Sequence, residues 1–365
     1  MAQSVTQSVT QSVSVLLGTT KGAFVLRSNP ARSDWELRGP FCDGAPINHV
    51  IGDPATGMIW AAGGGGWYPA GVWRSADGGA SWDQSTAGFA DAGLQTLWSL
   101  GRSGPKLYAG SKPAALFEST DQGQSWTRVE GLSNHASAAD WSPGAAGLVL
   151  HSIVADPDQP AKLWVGISAA GVFATEDGGK SWDRRNRRSN HPAAAGPSGD
   201  DHDHGTEVGL CVHNLVRGPD HSDRLYQQNH HGVFSSPDGG RTWQDMTAGL
   251  PSTFGFPIAV HPRDPQTVWV IPLNGDSAGR FPPDAAAAVW RSRSGGAEWE
   301  ALRHGLPGKN CFFTVLRQAM AVDRATPAGL YFGTNSGSVF GSNDEGDTWT
   351  EIARHLPTVL SVETM

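Results

Sequence analysis

The chain has 365 residues, a formal net charge of −8, 38% apolar residues and 17% charged residues. That length bounds it to one large domain or two smaller ones. The acidic balance argues against a nucleic-acid partner, which would need a basic face to neutralise phosphates. No window approaches the run of about 18 apolar residues that a membrane span requires. With 47 glycines, 24 prolines and few long helical patterns, the composition points to an all-β chain rich in turns.

Residues 1–12 read as a polar tail, without the basic and apolar regions of a signal peptide. The three cysteines, Cys42, Cys211 and Cys311, are scattered, odd in number and form no CxxC pair. Both features predict a reduced, cytoplasmic protein.

From Val13 onward one unit repeats. The first copy, Val13 to Arg38, opens on an apolar run and keeps only the ends of a later phrase, Ser28 and Trp35. The phrase is complete in the second copy as Ser75-Ala76-Asp77-Gly78-Gly79-Ala80-Ser81-Trp82. It returns at Ser119 to Trp126, Thr175 to Trp182, Ser236 to Trp243 and Ser342 to Trp349. A sixth copy, Ser292 to Trp299, carries Ser294 where the others carry Asp. The tryptophans lie between 44 residues (Trp82 to Trp126) and 61 residues (Trp182 to Trp243) apart. Asp accepting backbone N–H groups, Gly supplying positive φ and a hydroxyl tying the ends make a folded turn. The following Trp fills the gap between neighbouring sheets.

Upstream of each turn lie two buried runs, such as His49 to Pro54 followed by Met58-Ile59-Trp60. Each unit is therefore strand A, short turn, strand B, loop, strand C, turn and strand D. Four strands in a unit of this length make a propeller blade, so residues 13–365 are predicted to form a single seven-bladed β-propeller. The first unit lacks a strand A, and Thr358 to Met365 is a strand without a unit. The C-terminal strand is expected to complete the first blade and close the ring, which removes its open edges.

The recurrent phrase resembles the Asp-box (BNR) motif of the sialidase-like, glycosyl-hydrolase-like propellers. The resemblance spans nearly the whole chain and implies the propeller fold and a hydrolase background. It does not extend to true sialidase chemistry. The early segment Val13 to Asn29 has no Phe-Arg-Ile-Pro phrase. Three of the four tyrosines, Tyr108, Tyr226 and Tyr331, sit at the repeated strand B position.

Strands alternate in direction, so the channel mouth opposite the Asp turns gathers the starts of the A strands and the ends of the B strands. Function is expected there. His151 and His213 begin A strands of consecutive units, and His230 and His231 end a B strand. The two longest D-to-A connections bring His135, Asp140 and Trp141, and then His202, His204 and Glu207 within a lid-like insertion about 184–209. Imidazoles and carboxylates at this density suit a divalent metal, Zn, Fe, Mn or Cu, and no nucleotide cofactor is indicated. His151, His202, His204, His213 and His230 are the candidate ligands. Glu207, Asp140 and Arg317 are the candidate catalytic groups. Trp67, Tyr68, Asn274, Gln318, His135 and His231 are the candidate substrate contacts. The expected function is a hydrolase or lyase acting on a small molecule or glycan. Two alternatives stay open: a glycosidase using a pair from Asp140, Glu207, Asp276 and Asp284, and a non-catalytic propeller that binds or assembles a protein partner.

Overall fold

The computed structural model describes residues 12–90, 93–188, 207–219 and 223–365. These fold into seven four-stranded antiparallel sheets. The central blades illustrate the plan. Blade 4 is Leu150–Ala155, Leu163–Ile167, Gly171–Thr175 and Asp183–Arg184. Blade 5 is Val212–Arg217, Leu225–Asn229, Gly232–Ser236 and Gln244–Asp245. Blade 6 starts at Gly255–Val260 and blade 7 at Met320–Val322. In every blade strand A is innermost, in blade 1 the C-terminal Val359–Thr364, and the A strands contact one another in succession around the whole ring. The predicted tail falls almost wholly outside the described residues, as does most of the 184–209 insertion.

Ring closure is as expected. Val359–Thr364 pairs antiparallel with Ser14–Thr19, and Ser14 and Met365 exchange backbone hydrogen bonds of 3.0 and 2.9 Å. Blade 1 is therefore stitched from both chain ends.

The turn phrase folds as its chemistry dictates. In blade 2 the Asp77 carboxylate accepts from the backbone N–H groups of Ala80 and Ser81 (both 2.9 Å) and from the hydroxyls of Ser75 (2.8 Å) and Ser81 (2.6 Å). Asp121, Asp177, Asp238 and Asp344 also accept from the backbone N–H and hydroxyl of the Ser or Thr four residues on. Gly79 sits at φ 94°, a conformation that favours glycine. Where Ser294 replaces Asp, its hydroxyl still takes the Glu298 N–H at 3.0 Å.

Strand B aromatics fasten one blade to the next. Trp60 Nε1 donates to the Gln122 carbonyl at 3.0 Å, Trp164 to Gly239 at 2.8 Å, and Trp269 to Glu345 at 3.2 Å. Tyr226 does the same to Pro265 at 2.6 Å. Tyr108, Tyr226 and Tyr331 are all buried, which accounts for them as core residues.

Near its start, the A strand of each of blades 2 to 5 passes one residue without a partner on strand B. These bulged residues are Asn48, Trp98, His151 and His213. Blade 6 makes an equivalent slip at Phe256–Pro257 opposite Ile271, and blade 1 at Leu360. A bulge re-aims the side chain it carries. Repeated around the ring, it sets one tier of side chains at one channel mouth.

Candidate functional site

Blade 5 supplies the centre of the site. Cys211 and His213 are two residues apart at the start of its A strand, and His230 lies in the turn that ends its B strand. The His230 N–H donates to the Cys211 carbonyl at 3.0 Å, which draws the two segments together. Asn229, fully buried beside His230, donates from its side-chain amide to the Gly209 carbonyl and pins the approach to the A strand. As a result one ligand atom from each of Cys211, His213 and His230 lies within 4.8 Å of the others.

The His213 ring is fixed. Its Nδ1 lies 2.6 Å from the Gly255 carbonyl of blade 6, a contact that requires the proton on Nδ1. Nε2 then carries the lone pair and lies 3.7 Å from Cys211 Sγ. Burial first, and then the Arg317 charge, push His213 well below the usual histidine range, so the ring stays neutral. Phe254 and Phe256 wall it at ring separations of 5.2 and 4.7 Å. Burial raises the Cys211 thiol, against which the Arg317 charge acts only in part. The thiol is therefore not a free nucleophile at neutral pH.

A second group approaches from blades 6 and 7. The Arg317 guanidinium lies over the Phe256 ring at 4.9 Å, and Arg280 approaches the same ring at 5.8 Å. Arg280 Nε holds the Asp276 carboxylate at 2.5 Å. Burial would raise Asp276, but the Arg280 hydrogen bond and charge, with His230 and Arg317 nearby, hold it below the usual range. The segment before strand A of blade 7 crosses the mouth. Gln318 Nε2 donates to the His151 carbonyl of blade 4 at 2.5 Å, and Asn214 of blade 5 donates to the Arg317 carbonyl at 2.7 Å. Beneath this crossing the A strands enclose a channel of about 220 Å³, whose lining includes His49, Asn214, Gln318 and Glu363.

The expected metal ligands separate. His213 and His230 come together, and the structure adds Cys211. His151 is fully buried at the matching bulge of blade 4, with Nδ1 3.0 Å from Ser152 Oγ and, among the described residues, no hydrogen-bond partner at Nε2. Burial and the Arg317 charge take it down to about 3. It is not one of the three clustered ligands. His202 and His204 lie outside the described residues. The Cys-x-His spacing was available in the sequence, since alternate residues of a strand share a face. Cys211 belongs to no disulfide or CxxC pattern, so that spacing is the one sequence signal it carries.

Among the other expected residues, Asp140, Trp141, Glu207 and Arg184 line a separate cavity of about 420 Å³ beside blade 4. There Arg184 holds Glu207 at 3.2 Å. Glu207 therefore faces Asp140's cavity and is not one of the clustered ligands. His135 Nδ1 accepts the Ser137 N–H at 3.1 Å and its ring meets Phe173 edge-on at 5.1 Å, which makes it a turn-holding group. His231 stacks edge-on against His230 at 4.7 Å. The Asn274 N–H donates to the Phe281 carbonyl at 2.8 Å, closing the loop that carries Asp276 and Arg280. Trp67, 99% exposed, and Tyr68, whose hydroxyl reaches the Asp43 carbonyl at 3.3 Å, sit on blade 2, three blades around the ring. No helix among the described residues is long and apolar enough to cross a membrane.

No family model matches the chain. It is 26% identical over 164 residues to the probable oligoxyloglucan-reducing end-specific xyloglucanase of Neosartorya fischeri, covering 44% of this chain and 17% of that protein. In structure it is similar to an ancestral GH74 enzyme, with a TM-score of 0.60 at 17% identity over 84% of this chain and 38% of the other. It is also similar to YCF48 bound to a D1 peptide, with a TM-score of 0.52 at 19% identity, covering 83% and 84%. The chain thus spans well under half of that xyloglucanase and of that GH74 enzyme. The structural likenesses show a shared propeller fold.

Proposed function

We propose that this propeller is a hydrolase or lyase that holds a divalent metal between Cys211, His213 and His230. The observation that carries this reading is the convergence of the three ligand atoms within 4.8 Å, with the His213 lone pair turned inward by the Gly255 carbonyl. A metal-ligating histidine characteristically donates its other N–H to such an acceptor. One sulfur and two imidazoles suit zinc or copper better than manganese or iron. Three protein ligands leave a position open for water or substrate, and a bound zinc lowers the pKa of its water to about 7. The half-buried Cys211 thiol gives up its proton when metal binds, so loading releases protons. Cytoplasmic residence, proposed from the cysteine pattern, would keep Cys211 reduced. The five Asp turns are read as Asp boxes with a purely structural role.

Cobalt substitution tests the site. A thiolate-to-cobalt charge-transfer band and stoichiometric metal are expected in the wild type, and both should vanish in Cys211→Ser and His213→Ala. Failure of the purified wild-type protein to retain zinc or cobalt overturns the reading.

A second reading has its own observation. The 420 Å³ cavity gathers Asp140, Glu207 and Trp141, two carboxylates and an aromatic platform, in a chain similar to xyloglucanases. Hydrolysis of an aryl glycoside that survives metal removal but not Asp140→Asn or Glu207→Gln would favour it. Absence of both bound metal and glycoside hydrolysis in the wild type would leave a protein-binding propeller.

A further inference from the structure

We infer that Arg317, supported by Arg280, forms an oxyanion-binding subsite beside the Cys211–His213–His230 cluster, and that the substrate is a small molecule bearing a carboxylate or phosphate group. The subsite stands on its own geometry. Assigning its anion to the substrate rests on the metal reading above.

Arg317 differs from the other deeply packed arginines. Arg32 meets Asp323 at 3.0 Å, Arg185 meets Glu176 at 3.1 Å, and Arg291 meets Glu300 at 2.6 Å and Asp347 at 2.8 Å. Among the described residues no carboxylate comes within ion-pair distance of Arg317. Its Nε is shut off from solvent and has no acceptor among the described residues. A recessed N–H without an acceptor carries a desolvation cost that an anion meeting the guanidinium relieves. Asp276 bonds to Arg280. Two guanidiniums and one carboxylate therefore leave one positive charge uncompensated around Phe256.

The cation is also preorganised. Its guanidinium carbon lies over the Phe256 ring at 4.9 Å, and a guanidinium held on an aromatic ring can offer its N–H edge for a bidentate contact. The Asn214 amide holds its carbonyl, and Gln318 is tied to His151. Thr314 Oγ1 donates to the Arg280 carbonyl at 2.9 Å, so the two arginine-bearing segments share a brace. The Arg317 guanidinium and the His213 ring both pack against Phe256. Phe256 is the ring between them, touching His213 on one side at 4.7 Å.

The guanidinium fork fits carboxylate and phosphate alike. Titration of the full-length protein with inorganic phosphate and separately with acetate, with and without zinc, reads the subsite and distinguishes the two chemistries. Saturable binding of at least one anion is expected in the metal-free wild type, weakened at least tenfold in Arg317→Gln, which should still take up cobalt normally. Cys211→Ser should show the opposite pattern, with anion retained and metal lost. Failure of the metal reading alone then appears as anion binding without metal. Should Arg317→Gln not fold, phosphate or acetate protection of Arg317 from phenylglyoxal, mapped by mass spectrometry on the wild type, gives the same answer. Wild type that binds neither anion, Arg317→Gln that binds as wild type does, or Arg317 labelling that neither anion slows overturns the inference.

Discussion

Gln318 reaches across the channel mouth from blade 7 to place its amide 2.5 Å from the His151 carbonyl of blade 4. Asn214 makes a parallel tie from blade 5 to Arg317. The mouth is thus braced by side chain to backbone bonds between blades that are distant in sequence. Truncation at Gln318 leaves the recessed His151 carbonyl without this donor, a loss of about 1–2 kcal/mol. Gln318→Ala should lower the urea midpoint accordingly and also weaken phosphate or acetate binding, because Arg317 is its neighbour. Unchanged values on both counts would show the brace to be incidental.

Zinc should stabilise the protein through the native state alone. A ligand present at about 100 times its Kd adds about 2.7 kcal/mol to the unfolding free energy. The thermal midpoint of the wild type should therefore rise with zinc. His213→Gln should keep its fold and lose that response. His151→Gln should keep the response, because His151 lies outside the three-ligand cluster. Loss of the zinc shift in His151→Gln with its retention in His213→Gln would reverse the assignment.

The sequence showed the fold through its repeats. Each Asp turn is a local motif, and strand B apolar runs recur at fixed offsets from it. Even the closure of blade 1 followed from a surplus strand after Thr358. The site was legible only in outline. The starts of the A strands at His151 and His213 could be placed at one mouth by strand direction, but their separate fates could not. Two facts decided those fates. The bulges at His151 and His213 turn each side chain individually, and the Gly255 carbonyl that orients His213 belongs to a different blade. Contacts between blades leave no local pattern, so Arg317 over Phe256 was equally invisible.

The Asp turns predict an acid sensitivity. In the Asp121 turn, burial would raise the carboxylate, but the hydroxyl and backbone donors of Ser125 and Ser119, with the Gln124 N–H, bring it down to about 2. Asp77 and Asp177 lie lower still, chiefly through the Ser81 and Ser181 hydroxyls. An unfolded Asp titrates near 3.9. Below that value the unfolded chain takes up protons that the native turns refuse, so stability is lost as pH falls from about 4 to about 2 and is fully present above. The urea midpoint of the wild type should drop over that window. Asp121→Asn should start lower and drop less steeply, and equal slopes would remove the turn from the account.

Closure of the ring depends on the last six residues. Val362 is fully buried, and the strand covers the edge of Ser14–Thr19. Deleting Leu360 to Met365 leaves blade 1 with three strands and an open apolar edge, a recognised route to aggregation. The truncated chain should be largely insoluble or lose more than about 4 kcal/mol of stability. A soluble product with wild-type unfolding would mean that the ring holds without its clasp.

The degraded turn of blade 6 offers a gain instead of a loss. Ser294 takes one backbone N–H, that of Glu298 at 3.0 Å, and faces the Ser292 hydroxyl at 3.3 Å. The corresponding Asp77 takes two backbone N–H groups and two hydroxyls. Ser294→Asp alone sets a carboxylate beside Glu298, at the position where intact turns carry Ser or Thr, so like-charge repulsion cancels much of the benefit. Ser294→Asp with Glu298→Thr restores both the acceptor and the hydroxyl donor. The pair should add about 1 kcal/mol, more than the sum of the two single changes, because neighbouring substitutions that share one network are not additive. Urea midpoints of the two single variants and the double variant measure that coupling directly, and a double variant no more stable than wild type would show that hydrogen bonding within the turn contributes little to the blade.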